Sequence, residues 1–507
     1  MRIRANSDAN AKFNAPALKF PVETVRSIQL WLAIAALTLA PLFFGSVDQL
    51  WVAIWTVLLS ISTLCGAAES MSAAQSRVLL AFLGLCCAYA LVAIIQVAPH
   101  LIDRLDDPIW RQANEVLGLN TLPRISSRAE IPPDTIGHFL LLATSFMSGF
   151  LVATSRRNGD TLIRFAQYSM LAYAVYGLAA LVLTPNLLLW APKLAYRGSL
   201  TATFVNHNTA AAFVGAAAIL WFCKAYLSLQ SLRFSSIRLL LLVPSNERIV
   251  FKVILNLAAG LACFFALLFT GSRGGLISSC LGLLAAIILM IASRLRSGFW
   301  YIFGPTAVAL ALVAGWLSQT GLIGSKGLLD DGRWSVYASC IEAIRRRPLL
   351  GAGAGTFADL FPSLRADDLS RWGVWDYAHS TVLEIAVEMG IPIAAMIVLA
   401  AAASLFILAR AALKSKDSGR SSLSAIAGIA VLSYLHSIVD FPLQIPGYLI
   451  PFGILLGCGL ARAVSLPVNL RRARSRTFVP IGSSTGAGRA RLEPALEEPL
   501  PLSQSSE

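Results

Sequence analysis

Apolar runs of about 20 residues, the length a helix needs to cross a bilayer core, recur along almost the whole chain and constrain its fold more than any motif does. They lie near residues 28–45, 49–67, 78–99, 136–154, 162–184, 207–226, 250–270, 274–292, 300–317, 391–409, 422–439 and 447–463. Backbone polar groups in lipid must be satisfied within the spanning element itself, so runs of this length read as helices. The expected fold is all-α, a polytopic membrane protein with about 12 transmembrane helices. A chain that is 56% hydrophobic and 13% charged is too apolar for a soluble globular protein. The first run follows a polar, basic N-terminus without a small-residue cleavage site and reads as a retained helix rather than a signal peptide.

An even number of spans puts both termini on one side. With the N-terminus inside, the inside segments, termini included, hold 27 of the 41 Lys and Arg, among them "SRRNGD" (155–160) and "RRARSR" (471–476), as the positive-inside bias requires. The basic residues left outside fall mainly in two long, acid-containing loops, 100–135 and 318–379, which can be translocated regardless of charge. Residues 1–27 then form a cytoplasmic N-terminal segment and 28–464 the transmembrane domain, with its large extracytoplasmic loop at 318–379. Residues 465–507, rich in Gly, Ser, Pro and Glu, form a disordered cytoplasmic tail. The net charge of +14 reflects the inner loops and implies anionic lipid headgroups as neighbours rather than nucleic acid. Of the eight cysteines, only Cys340 falls in an outside loop, where it reads as a buried helix residue. Neither a disulfide framework nor a clustered metal site is visible.

Nearly all the unusual polar residues fall outside: "YRGSLTATFVNHN" (196–208), "TGSRGG" (270–275), "GRWSVYASCIEAIRRRPLLGAGAGTF" (332–357), "YAHS" (377–380) and "VDFPLQIPG" (439–447). Arg273, close to apolar helices on both sides, is either a topological anchor or an anion-binding group. Anchors sit inside, which favours the anion. Residues 333–347 read as an amphipathic surface helix, with Trp334, Tyr337 or Ala338, Ile341 and Ile344 on its apolar face and Pro348 and Gly351 ending it. Arg333 opens that helix as either a solvated arginine or a two-point phosphate donor. Arg345, Arg346 and Arg347 read as an interfacial charge cluster. "GAGAGTF" lacks the Lys-Ser/Thr and the preceding strand of a nucleotide loop and reads as a flexible turn. "TVLE" fits a capping box with Thr381 as N-cap and Glu384 at N3, which leaves His379 in the loop before the helix and Glu388 one turn beyond Glu384. A histidine at a membrane boundary is often structural, but His379 is the best base candidate here.

The order of these motifs resembles the O-antigen ligase and polymerase superfamily of multi-spanning bacterial glycosyltransferases, over most of the chain and best from about 196 to 446. "TATFVNHNTAAAF" is similar to that family's Phe-x-Asn-x-Asn helix entry and "TGSRGG" to its Ser-Arg-Gly element. "RWSVYASCIEAIRRRPLLGAGAGTF" is similar to its Arg-led segment ending in Pro-x-x-Gly-x-Gly, and "AHSTVLEIAVEMGIP" completes the order. Ser380, where Asn is commoner, and His207, between the two asparagines, depart from the pattern. The resemblance implies a glycan donor carried on undecaprenyl diphosphate, since no nucleotide sugar exists outside the cytoplasm. The acceptor is then a hydroxyl of lipid A core or of another lipid-linked glycan. It implies that Arg273 and Arg333, with Arg197 a further candidate, bind the diphosphate, and that His379 activates the acceptor. Asn206 and Asn208 either fix their loop or contact sugar, and Glu384 is a supporting residue. Asp440 and Glu388 stay unassigned. No cofactor or metal is required. The implied location is a bacterial inner membrane, with the 318–379 loop and the active site on the periplasmic face. A twelve-helix secondary transporter or flippase is the competing class, although the spans hold almost no charge away from their ends.

Overall fold

A computed structural model describes residues 22–67, 69–101, 103–230, 244–292, 331–365, 369 and 375–465. The expected span at 300–317, the first part of the 318–379 loop and the tail at 465–507 lie almost wholly outside the described residues, as does most of the N-terminal segment.

The protein is an all-α polytopic membrane protein. Eleven of the described helices are long and apolar enough to cross a membrane. They are α1 (Val22–Leu39), α2 (Gln49–Gly66), α3 (Ala73–Val97), α5 (Pro133–Val152), α6 (Arg156–Leu183), α7 (His207–Gln230), α8 (Pro244–Phe269), α9 (Arg273–Ile291), α12 (Thr381–Lys414), α13 (Asp417–Val439) and α14 (Pro446–Ser465). Three shorter helices lie in the connections: α4 (Pro108–Leu117), α10 (Asp331–Arg346) and α11 (Phe357–Leu364). A two-residue antiparallel pair, β1 (Leu187–Leu188) and β2 (Ala191–Pro192), folds the loop between α6 and α7.

Lipid tails are as apolar as leucine, so helix association in a membrane depends on close packing of small residues. The α9–α13 crossing shows this. A Cβ on Gly282 would stand 2.4 Å from the Gly428 carbonyl oxygen, and one on Gly428 2.5 Å from that of Gly282. The Ala-rich α7 is enclosed over most of its length by α6, α8, α9 and α13, whereas α3 faces outward almost throughout.

Helix α12 begins ten residues before the expected 391–409 span and is broken inside. Gly390 has φ 80° and ψ 168°, and Pro392 follows at the start of the second half, where its missing N–H is not needed. A Cβ on Gly390 would meet the Leu349 carbonyl oxygen at 2.3 Å. The first half of α12, carrying Glu384 and Glu388, is thereby packed into the connection that follows α10.

Three local expectations change. Helix α10 forms, but it buries Val336, Tyr337, Cys340 and Ala343 and leaves Trp334 and Ile341 exposed, because its smaller side chains fit against α11 and α12. The "GAGAGTF" segment is an enclosed crossing rather than a flexible turn. Ala352 N–H donates to the Val387 carbonyl (2.9 Å), Gly353 N–H to that of Glu388 (3.0 Å) and Ala354 N–H to Gln96 Oε1 (2.9 Å). Arg347 is not part of a surface cluster, since it pairs with the buried Asp107 at 2.8 Å.

Candidate functional site

Five polar motifs, far apart in sequence, meet at one end of the bundle because each sits at a helix end. The Leu200 N–H donates to the Phe269 carbonyl (2.9 Å), joining the loop before α7 to the α8–α9 turn. The ring of His207, first in α7, contacts the Thr270 carbonyl through Nδ1 (2.8 Å) and stacks on Tyr196 at 4.1 Å. Arg333 in the first turn of α10 donates from Nη1 to the Val439 carbonyl (2.9 Å), the C-terminus of α13. Thr381, first in α12, bonds the Asp440 carbonyl through its hydroxyl (3.2 Å).

Asp440 is the centre of this arrangement. It is 2% exposed, accepts the Phe441 N–H at Oδ1 (2.9 Å) and faces two cationic or protonatable groups. His379 Nδ1 stands 3.4 Å from Oδ1, within ion-pair distance, and Arg333 Nη2 stands 3.9 Å from Oδ2. Burial alone would push this carboxyl up, but the His379 imidazole, with His436 and Arg333, holds it below its ordinary range. Asp440 therefore stays ionised and orients the Nδ1 edge of His379 toward itself. The His379 side chain is 24% exposed. Trp375 and Phe441 meet the ring edge-on, with centroids at 5.4 and 5.0 Å.

The backbone of His379 has φ 51°, a left-handed conformation uncommon for a non-glycine residue and held only where surrounding bonds enforce it. On one side Ala378 N–H donates to Glu384 Oε2 (2.7 Å). The Tyr337 hydroxyl donates to the His379 carbonyl itself (2.8 Å), and burial raises that phenol above its ordinary value, so it remains a neutral donor. Glu384 takes a further bond from Gln444 Nε2 (3.0 Å). The expected capping box is shifted by one residue: the N-cap is Ser380, whose hydroxyl accepts the Leu383 N–H. Glu384 reaches past it to the Ala378 N–H. Glu388 accepts the Phe357 N–H at Oε1 (3.0 Å) and faces the N–H groups of Gly355 and Thr356. It clamps the glycine segment and does not meet His379.

The remaining sequence candidates divide. Arg273 opens α9 directly before the two glycines that face α13. Arg197 is exposed and donates through Nε to the Lys193 carbonyl (3.2 Å). Asn206 caps α7, its Oδ1 accepting the Asn208 N–H (2.7 Å), and Asn208 is buried. Sequence reasoning passed over His436, which is 1% exposed and one helical turn before Asp440. The i, i+4 spacing of two ionisable residues at the end of an apolar run was the signal available.

No curated protein matches the chain significantly. Over residues 258–398, from within α8 through α9, α10 and α11 into α12, the sequence matches the family model described as O-antigen ligase. That stretch contains Arg273, Arg333, His379, Glu384 and Glu388, and the match supports a relation to the O-antigen ligase superfamily.

Proposed function

We propose that the protein is a membrane glycosyltransferase that moves a glycan from undecaprenyl diphosphate to a sugar hydroxyl, as an O-antigen ligase does with lipid A core, on the periplasmic face of a bacterial inner membrane. The observation that carries this reading is the His379–Asp440 pair beside Arg333: a histidine oriented by a buried carboxylate, next to a guanidinium suited to phosphate. The acceptor oxygen attacks the anomeric carbon of the donor, and its proton passes to His379 Nε2. The bond between the anomeric carbon and the phosphate oxygen breaks, and the electron pair leaves on the diphosphate. Arg333 and Arg273 stabilise the charge that develops there. Asp440 stabilises the imidazolium formed in the same step, and the proton then passes to water.

Purified protein given a polyprenyl-diphosphate glycan and an acceptor glycan tests this. His379→Ala, at matched folded protein, should lose about 10²- to 10⁴-fold in transfer rate, the usual contribution of a positioned general base. Wild-type transfer by that variant refutes the reading, as does solute transport into liposomes that His379→Ala leaves unchanged. The same geometry serves a polymerase whose acceptor is another lipid-linked repeat, and a deletion strain separates the two. Long lipid-linked chains accumulate if a ligase is lost, single repeats if a polymerase is lost.

A further inference from the structure

His436 is a buried imidazole, among the described residues, that takes no direct part in the proposed transfer. Neither ring nitrogen has a hydrogen-bond partner among the described residues. A neutral imidazole always presents one N–H and one lone pair, so the fold leaves a donor unmatched inside the bundle. Unsatisfied buried groups of this kind call for a specific explanation, and a ligand is one of them. The residue is fixed in place, since its carbonyl accepts the Asp440 N–H (2.9 Å).

The edge of the ring lies against the first turn of α9. A Cβ on Gly274 would stand 3.6 Å from His436 Nε2 and Cδ2, and one on Gly275 3.3 Å from Cε1. The two glycines serve different ends. Gly275 must be bare for the fold, because its Cβ would stand 2.5 Å from the Ala211 Cβ on α7. Gly274 is under a weaker demand: its Cβ would meet nothing nearer than the Val439 Cγ2 at 3.2 Å, a side-chain contact that has to give by a few tenths of an ångström. It is nevertheless bare, at the half-buried N-terminal turn of a 19-residue helix, where the helix dipole and Arg273 both favour an anion. A bare backbone position beside an unmatched imidazole nitrogen, at the positive end of a helix, is a cradle for an anionic oxygen. A neutral sugar hydroxyl makes no use of that field.

The geometry points to His436 as a donor-binding residue, contacting a phosphate of the diphosphate from Nε2 through the space that Gly274 leaves open. This rests on the donor class proposed above, and the test separates the two claims by measuring binding rather than turnover. The probe is undecaprenyl diphosphate, with undecaprenyl monophosphate and inorganic pyrophosphate as comparison arms, titrated against purified protein in nanodiscs. His436→Phe fills the volume without a donor. His436→Gln puts an amide N–H near the Nε2 position. Gly274→Ala closes the cradle and leaves His436 in place.

His436→Phe and Gly274→Ala should each weaken undecaprenyl diphosphate binding about tenfold, near 1.4 kcal/mol, with melting temperatures kept. His436→Gln should stay within about threefold of wild type, the bond being restored. If inorganic pyrophosphate shows the same losses, the contact is to phosphate itself. If only the lipid shows them, the contact depends on how the membrane presents the diphosphate. Wild-type protein that binds the diphosphate, with folded His436→Phe and Gly274→Ala binding it equally well, overturns the inference and leaves the proposed function standing. His436→Gln binding as poorly as His436→Phe also overturns it, since ring shape and not the donor would then matter. Wild-type protein that binds no diphosphate overturns both. If His436→Phe fails to fold, Gly274→Ala decides the matter.

Discussion

Asp440→Asn removes one negative charge while keeping the shape of the side chain and an oxygen to accept the Phe441 N–H, now at 2.9 Å. The imidazolium formed during transfer would have its Nδ1 3.4 Å from the carboxylate. At that separation two unit charges interact by roughly 2–5 kcal/mol for an effective dielectric of about 20–40, the range suited to a ring partly open to solvent. That interaction is absent while the imidazole is neutral, so its loss falls on the transition state and slows transfer by ~10²–10³-fold. Initial rates at saturating donor, with donor affinity measured separately, test this. A rate within threefold of wild type, or a loss confined to donor affinity, refutes the pairing. The pH dependence of stability is a second readout. The folded carboxyl is held below its ordinary value of 3.8, so its ionised form contributes stability above that range and loses it as pH falls through the folded value. The contribution of the ionised Asp440 carboxylate to the difference in melting temperature between wild type and Asp440→Asn should therefore be lost below about pH 4.

Arg333→Lys keeps the charge but loses the planar fork that holds the Val439 carbonyl at 2.9 Å, and transfer should fall at least about tenfold at matched membrane insertion; an unchanged rate would make Arg333 a bystander. Glu384→Gln still accepts the Ala378 N–H and should cost less than threefold in rate, whereas Glu384→Ala orphans that N–H and the Gln444 amide and should destabilise by about 2–3 kcal/mol. Equal effects of the two changes, measured by melting and by rate, would contradict the tether. In a cysteine-free background, a cysteine at Asp376 should react with an impermeant thiol reagent on intact spheroplasts while one at Ser418 stays unlabelled, since α13 alone separates those ends by about 35 Å at 1.5 Å per residue; the opposite pattern inverts the topology.

The class of fold was legible because a bilayer imposes one rule on every span, and the apolar runs obey it. The helix-end motifs could be assigned to one side for the same reason. Helix faces were harder to read. For α10 the larger apolar residues, Trp334 and Ile341, were natural choices for the buried side, yet the helix buries Val336, Cys340 and Ala343. A helix packed tightly against protein selects for fit, and a membrane protein has less reason than a soluble one to hide its largest apolar groups. Roles that depend on tertiary partners left no local trace. Nothing near "VDFP" announces that Asp440 faces His379, sixty-one positions earlier in the chain, and "TVLE" matches a capping box so well that it hides the longer reach of Glu384.

The two glutamates near His379 show why a site built on loops needs buried carboxylates that take no part in chemistry. Backbone N–H groups in the connections around α10–α12 cannot all find carbonyl partners, because the chain there is neither helix nor sheet, and water is scarce where the segments pack together. A carboxylate on a helix offers several acceptor sites at one fixed point. Glu384 spends them on the His379 loop and Gln444, and Glu388 on the segment entering α11. Each converts an irregular stretch into one that is pinned to the first half of α12. The break at Gly390 lets that half-helix tilt away from the second half and lie against both stretches. His379 keeps its left-handed backbone because its neighbours are bonded to rigid elements on either side, Tyr337 from α10 and Glu384 from α12. The ring is thereby held facing Asp440, the preorganisation that the proposed general-base role needs.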